Sequence, residues 1–132
     1  MHSPEAIAAL LSWAVRLSPY PAPAQPPAVY FASRTLITEK ACGGRHCGAI
    51  AWYDNHGTIY IDERYHAEDT PFARSLVVHE IVHYLQDLSG RFDPASCADH
   101  RRREYEAHAL QREYIAQAFG QVAYLRMALW EC

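Results

Sequence analysis

The most constraining feature of this 132-residue sequence is one segment bounded by a helix start and a helix stop. Thr70-Pro71 is typical of a helix N-terminus, and Ser89-Gly90 is typical of a helix end. The middle of the segment reads His79-Glu80-Ile81-Val82-His83. Histidines four residues apart lie one turn apart on the same helix face, so their imidazole nitrogens can converge on one metal ion. Glu80 is rotated about 100° from His79 and is expected to border the ion rather than bind it.

A metal site of this kind needs a third protein ligand. The candidates downstream are Glu104, Glu106, His100 and His108. A helix starting near Asp99 and returning antiparallel would bring Glu104 level with His83, because about 7.5 Å of helix separates each residue from the connecting loop. Glu104 also shares its helix face with residues that become apolar, whereas the face of Glu106 is polar. The pattern favours Glu104; the alternative is that both glutamates are surface carboxylates on a charged helix.

The order of the remaining elements predicts a single α+β domain over residues 1–132. A helix is expected from Ser3-Pro4 to Ser18, followed by a stiff connector that contains five prolines between Pro19 and Pro27. A mostly antiparallel sheet is expected next, with strands at Ala28–Thr38, Ala49–Tyr53 and Thr58–Asp62. The last two strands flank Asp54-Asn55-His56-Gly57, which is a good hairpin signal. A final helix is expected from Asp99 to Gly120, with a further stretch to Trp130.

Composition argues against two classes of function. The chain lacks the roughly 20 consecutive apolar residues that a membrane-spanning helix needs. Its formal net charge of -3 argues against nonspecific binding to nucleic acid or to anionic membranes, which require a basic surface. The triplet Arg101-Arg102-Arg103 lies beside several glutamates and is typical of a solvated helix face. We therefore expect neither a nucleic-acid partner nor a membrane span.

The four cysteines favour disulfides over buried thiols. Cys42, Cys47, Cys97 and Cys132 form no Cys-x-x-Cys pair of the kind that holds structural zinc. The expected pairs are Cys42–Cys47, which closes a short glycine loop, and Cys97–Cys132, which ties the C-terminus to the loop before the last helix. Disulfides persist in oxidising compartments, so we expect a periplasmic or secreted protein, although no signal peptide is visible in residues 1–30.

The segment from residue 70 to residue 115 resembles the gluzincin branch of the zincin metallopeptidases. Those enzymes place two histidines on one helix and a glutamate on the next, with a small residue three positions later, as in Glu104 and Ala107. The segment is also similar to a family of small uncharacterised bacterial domains. These carry His-Glu-x-Val-His-x-Leu-Gln, then a cysteine, then Glu-x-Glu-Ala-x-x-x-Gln, as in His79 to Gln86, Cys97 and Glu104 to Gln111. Thermolysin-like enzymes differ from this chain, since they have an aspartate at the position of His108 and an additional C-terminal subdomain.

The resemblance implies a zincin-like fold and zinc-dependent hydrolysis of peptide bonds. One zinc ion per chain would be bound by His79, His83 and Glu104, with Glu80 as the general base. Peptides or proteins would be the substrates, held as an extended strand along the hairpin at Ala49–Asp62. Two alternatives remain open. The chain could be a zinc-containing domain that binds a protein partner without catalysis, or a site-specific protease that acts on a regulator or toxin.

Several other side chains are candidates for supporting roles. Hydrogen bonds to the oxyanion of the reaction could come from Tyr84, Tyr105, His108 or His66. The alternative for each is that it is a packing residue or a surface group. His108 could instead orient a metal ligand from one turn beyond Glu104. Gln86 and Gln111 lie on the faces of His83 and Glu104, where we expect them to hydrogen-bond each other.

Overall fold

The computed structural model describes residues 3–125 as one small α+β domain, as expected. The part of the chain that it describes contains five helices and three strands. In chain order these are α1 (Pro4–Leu17), β1 (Ala28–Ala32), α2 (Arg34–Cys42), β2 (Ala51–Tyr53), β3 (Thr58–Asp62), α3 (Arg64–Ala67), α4 (Pro71–Ser89) and α5 (Cys97–Phe119).

The three long helices begin where side-chain caps are available. The hydroxyl of Ser3 accepts a hydrogen bond from Ala6 N, and that of Thr70 accepts one from Ala73 N. Both caps are followed by proline, as predicted. Helix α5 begins two residues before the predicted Asp99, because Ser96 caps it through the backbone N–H of Asp99. It ends at Phe119. The predicted further stretch to Trp130 is not helical over residues 121–125, and the rest of it lies outside the described residues.

The sheet is mixed and has the strand order β1-β3-β2. Strand β2 pairs antiparallel with β3 across the predicted hairpin, whereas β1 pairs parallel with β3 over five residues. The parallel pair is possible because α2 and β2 carry the chain back between the two strands. Strand β2 therefore lies at an edge of the sheet, with one side of its backbone available for another strand.

The predicted strand at Ala28–Thr38 is wrong in its second half. Strand β1 ends at Ala32, and α2 occupies residues 34–42. Ser33 caps this helix by accepting a hydrogen bond from Leu36 N, and the helix buries Ile37 completely. The β-branched residues that favoured a strand are thus overruled by a local cap and by tertiary packing.

Helix α4 lies at the centre of the domain. It packs against α1 and α5 on one side and against β2 and β3 on the other. Its buried residues include the apolar Val77, Val78, Ile81 and Val82, which are fully enclosed. The polar Glu80 and His83 are buried among them. Because this packing holds the helix on all sides, the polar side chains that it carries have defined positions.

One of the two predicted disulfides is confirmed. Cys42 and Cys47 are bonded and close the loop between α2 and β2. The other predicted pair, Cys97–Cys132, includes a residue outside the described range. None of the helices in residues 3–125 is long and apolar enough to cross a membrane.

Candidate metal centre

The structure brings His79, His83 and Glu104 together. Their ligand atoms all lie within 4.8 Å of one another. The carboxylate of Glu104 lies 2.6 Å from His83 Nε2 through one oxygen and 3.6 Å from His79 Nε2 through the other. The antiparallel return of α5 along α4 therefore has the predicted register. The cluster could bind a metal ion through two imidazole nitrogens and a carboxylate.

The other ligand candidates lie elsewhere. Glu106 points away from the cluster, where it accepts hydrogen bonds from Tyr20 Oη at 2.5 Å and Gln86 Nε2 at 3.0 Å. We expected the helix face of Glu106 to be solvated. Further along that face Glu113 and Gln117 are exposed, whereas Glu106 itself is half-buried, because Tyr20 and Gln86 contact it. His100 lines the cleft beside the cluster, and burial lowers its pKa.

Glu104 is held as a carboxylate by the two histidines. Burial alone would raise its pKa, but the hydrogen bonds from His79 and His83 outweigh that effect and hold the pKa far below its usual range. An ionised carboxylate facing two imidazole nitrogens is a donor set that could bind a metal ion.

Gln111 orients the ring of His79. The oxygen of its amide lies 2.8 Å from His79 Nδ1, and its nitrogen donates to Ser75 Oγ at 3.0 Å. Ser75 in turn donates to the carbonyl of Phe72, so its hydroxyl oxygen is free to accept from Gln111. The amide oxygen must therefore face His79 and accept a hydrogen bond from Nδ1. Nε2, which faces Glu104, is the nitrogen of this ring that a metal ion could bind.

Gln86 fixes His83 in the same way. Its amide oxygen lies 2.8 Å from His83 Nδ1, while its nitrogen donates to the carbonyl of Arg103 and to Glu106. Both of those groups are acceptors only, so the orientation of the amide is determined. The predicted hydrogen bond between Gln86 and Gln111 is wrong. Each glutamine instead contacts one histidine, so Nε2 of each ring, which faces Glu104, is the nitrogen that a metal ion could bind.

Glu80 is a buried carboxyl group with an unused oxygen. Its side chain is 6% exposed, and Oε2 has no hydrogen-bond partner among the described residues. Burial raises the pKa of Glu80 to about 7; the nearby His79 opposes this and the charge of Glu104 adds to it. A carboxyl with a pKa near neutrality can exchange a proton with a bound molecule at physiological pH.

Glu80 should give the metal-free protein a measurable pH dependence. In the native state it stays protonated up to about pH 7, whereas the unfolded chain ionises it near its ordinary pKa of 4.5. Below about pH 4 Glu80 is protonated in both states and has no effect on the free energy of unfolding. As pH rises toward 7, that free energy decreases by about 3 kcal/mol at most, and it then levels off. In chelator-treated protein, Glu80→Gln should unfold at a higher urea concentration than wild type at pH 8, with a much smaller difference at pH 5. Equal midpoints at pH 8 would contradict an unpaired buried carboxyl.

A cleft of about 540 Å³ opens beside the cluster. One wall is formed by α4 and α5, and the other by the end of α2, the Cys42–Cys47 disulfide and the edge strand β2. The ionisable side chains of α4 and α5 that line the cleft are His79, Glu80, His83, His100, Arg103, Glu104 and His108. The candidate ligands are thus accessible to a molecule lying along β2.

His108 is the one residue proposed for oxyanion binding that lines the cleft. Its ring packs edge-on against His79 at 4.6 Å between centroids, and Nε2 lies 3.6 Å from Glu104. Nδ1 is buried and has no hydrogen-bond partner in the described part of the chain. Burial lowers the pKa of His108 to about 4, so the ring is neutral at physiological pH. A neutral ring can donate one hydrogen bond to a bound molecule.

The other three residues considered for this role lie outside the cleft lining. Tyr84 donates to the carbonyl of Gln25 at 2.7 Å and packs against Tyr53. Tyr105 is half exposed on α5. His66 lies on α3, where its ring packs edge-on against Phe31. Packing or exposure therefore accounts for all three.

Sequence reasoning missed the role of Arg103 and of the hairpin turn. Arg103 was expected to be part of a solvated triplet, but it lines the cleft and donates to Asn55 Oδ1 at 3.2 Å. Trp52 and Tyr53 of β2 also line the cleft. The hairpin signal was visible in the sequence, but its position against α5 depends on tertiary packing.

Comparison of this chain with known protein families, with curated proteins and with solved structures finds no match. Its function is therefore inferred from the geometry and chemistry of the cleft.

Proposed function

We propose that this protein is a zinc-dependent peptidase whose metal ligands are His79, His83 and Glu104. Two histidines and one glutamate are a donor set typical of catalytic zinc sites, which keep a fourth position open. The separations of 2.6 and 3.6 Å between the histidine nitrogens and the Glu104 oxygens bracket the roughly 3.3 Å expected between two ligands of a tetrahedral zinc ion. The hydrogen bonds of both Nδ1 atoms to glutamines, which turn Nε2 of each ring toward Glu104, are a further argument for a metal site rather than a purely packed core.

Glu80 is the observation that favours catalysis over a structural role. A structural zinc site is closed by four protein ligands and needs no base. Here a fourth carboxyl or thiol ligand is absent from the cluster in residues 3–125, while an unpaired carboxylate oxygen lies beside it at the cleft wall. Burying such a group without a partner is costly, which argues that its place in the molecule reflects a chemical use.

In the proposed reaction the chain's own residues move the proton and hold the substrate. Zinc, when bound, supplies Lewis acidity and lowers the pKa of water from 15.7 toward about 7. Glu80 accepts the proton of the attacking water and passes it to the leaving amine. His108 donates a hydrogen bond to the oxygen of the scissile carbonyl, where negative charge develops. The free edge of β2 pairs with the backbone of an extended peptide.

The disulfide at the cleft wall supports an oxidising compartment for this activity. Cys42–Cys47 forms part of the surface that would face the substrate. Reducing cytosols keep such thiols unpaired, so we place the protein in the periplasm or outside the cell. The substrates would then be exported peptides or proteins.

Gln111 offers a test of the metal site that leaves all three ligands in place. Gln111→Leu removes the acceptor of His79 Nδ1, so the imidazole is no longer held in its metal-binding orientation. Loss of such a partner typically lowers metal affinity by roughly 10- to 100-fold. Competition with a zinc chelator should show this decrease for Gln111→Leu. The exposed Gln117→Leu on the same helix should match wild type, and a normal affinity for Gln111→Leu would contradict the assigned role.

The peptidase activity can be tested with an unbiased peptide library. Zinc-loaded protein is incubated with the library, and the new termini are identified by mass spectrometry. We expect cleavage that stops on chelation and returns with zinc. If no peptide is cleaved while a protein partner is bound tightly, the non-catalytic binding domain is the better interpretation.

A further inference from the structure

Arg103 closes one end of the cleft with a fixed positive charge. It precedes the ligand Glu104 on α5, and its side chain is half-buried in the cleft wall. Nε donates to the amide oxygen of Gln86 at 3.4 Å, and Nη2 donates to that of Asn55 at 3.2 Å. These acceptors belong to α4 and to the hairpin turn, so the guanidinium bridges these two elements.

The hairpin turn is itself held in place. Asp54 accepts hydrogen bonds from the backbone N–H groups of His56 and Thr58. Asn55 lies between Asp54 and His56 with a φ of 62°, a left-handed conformation that asparagine tolerates better than most residues. The amide that receives Arg103 is thus presented by a defined turn.

The charge of Arg103 has no counter-ion. Both of its acceptors are neutral amides, and no carboxylate in residues 3–125 forms an ion pair with it. Two of its five N–H groups are used, which leaves three donors. Elsewhere on the surface Arg34, Arg74 and Arg102 each pair with an aspartate.

The charge balance of the cleft favours an anionic ligand. The carboxyl groups that line it are Glu80 and Glu104, and even with both ionised they only balance the charge of one divalent cation. The guanidinium of Arg103 is then the excess charge. A guanidinium with adjacent free donors binds carboxylates in a two-point arrangement that neutral groups cannot reproduce.

We propose that Arg103 binds a carboxylate of the substrate and makes the cleft selective for peptides that carry one near the scissile bond. This inference rests on the proposed peptidase function. The carboxylate could belong to an aspartate or glutamate side chain or to the peptide C-terminus. Arg103 is a specificity residue in this proposal, distinct from the base Glu80 and from the metal ligands.

The test uses one cleaved peptide in matched forms. Glutamate is compared with glutamine at each position near the cleaved bond, and the free C-terminus is compared with its amide. For zinc-loaded wild type we expect kcat/KM to be roughly 10- to 100-fold higher for one carboxylate form than for its neutral partner. The pair that shows the preference identifies the source of the carboxylate. Equal rates for every pair would overturn the proposal.

The variants separate charge recognition from support of the metal site. Arg103→Gln should lose the preference, measured as the ratio of kcat/KM for the carboxylate and neutral forms of the peptide, while keeping its zinc. Arg103→Lys, which keeps the positive charge but lacks the two-point geometry of the guanidinium, should retain part of the preference. Arg101→Gln makes the same charge change at an exposed position and should behave as wild type. A preference that persists in Arg103→Gln would overturn the proposal. If that variant does not fold, comparison of the matched peptides with wild type and Arg103→Lys still tests it.

Binding distinguishes failure of this inference from failure of the peptidase assignment. Calorimetry with zinc-loaded Glu80→Gln measures the affinity for the same peptide pairs without turnover. A carboxylate preference in binding, together with no hydrolysis by wild type, would support the role of Arg103 and contradict the peptidase function. Hydrolysis by wild type without any carboxylate preference would support the peptidase function and contradict the role of Arg103.

Discussion

Glu80→Gln is expected to abolish peptide hydrolysis while the protein keeps its full complement of zinc. The substitution preserves size and helix propensity but removes the carboxylate that we propose as the acceptor of the proton of water. General-base catalysis contributes roughly 10²- to 10⁴-fold, so kcat/KM should fall by about 100-fold or more. Zinc should remain bound, because Glu80 is not one of the three clustered ligands. Initial rates and zinc content measured on one preparation test both expectations.

The matched control for this variant is Glu113→Gln. Glu113 is an exposed residue of α5, where it accepts a hydrogen bond from Gln117. Its neutralisation makes the same charge change outside the cleft and should leave the rate unchanged. If Glu80→Gln were as active as wild type, the hydrolytic mechanism would be wrong. If wild type cleaved nothing and a partner bound equally to both forms, the non-catalytic binding domain would be favoured.

His79→Ala is expected to lose zinc, and with it both activity and zinc-dependent stability. The two remaining ligands cannot complete the site, and Glu104 loses one of the histidines that hold it ionised. A ligand present at 100 times its Kd stabilises the native state by about 2.7 kcal/mol. Wild type should therefore show an increase in thermal midpoint on zinc addition, and His79→Ala should show almost none.

The control for this variant is His56→Ala, which removes an exposed histidine from the hairpin turn. It should retain both the zinc-induced increase in the midpoint and the activity. A wild-type midpoint that is unchanged by zinc would contradict the metal site. An equal increase in His79→Ala would place the zinc elsewhere.

The parts of the site that local rules govern could be predicted from the sequence. The caps at Thr70 and Gly90 define α4, and the spacing of His79 and His83 within it determines their common face. The position of Glu104 followed from equal lengths of helix on either side of one short loop. In each case the residues that decide the outcome are close together in the sequence.

The parts that failed depend on contacts between distant residues. The face of Glu106 was expected to be solvated, but Glu106 itself is half-buried and accepts a hydrogen bond from Tyr20, which lies 86 residues away in the sequence. Arg103 was expected on a solvated face, but the turn that receives it at Asn55 is 48 residues away. Residues 34–38 have strand propensity, and they form a helix because Ser33 caps them and Ile37 packs into the core. Propensity and helical periodicity carry no information about such partners.

The most direct measurement of the central claim is a titration of metal-free protein with zinc, followed by the rate of peptide cleavage. If His79, His83 and Glu104 form one hydrolytic site, the rate should rise linearly with added zinc and reach a plateau at one equivalent per chain. A rate that stays at the background level after one equivalent of zinc has bound, or a protein that binds less than half an equivalent, would contradict the account.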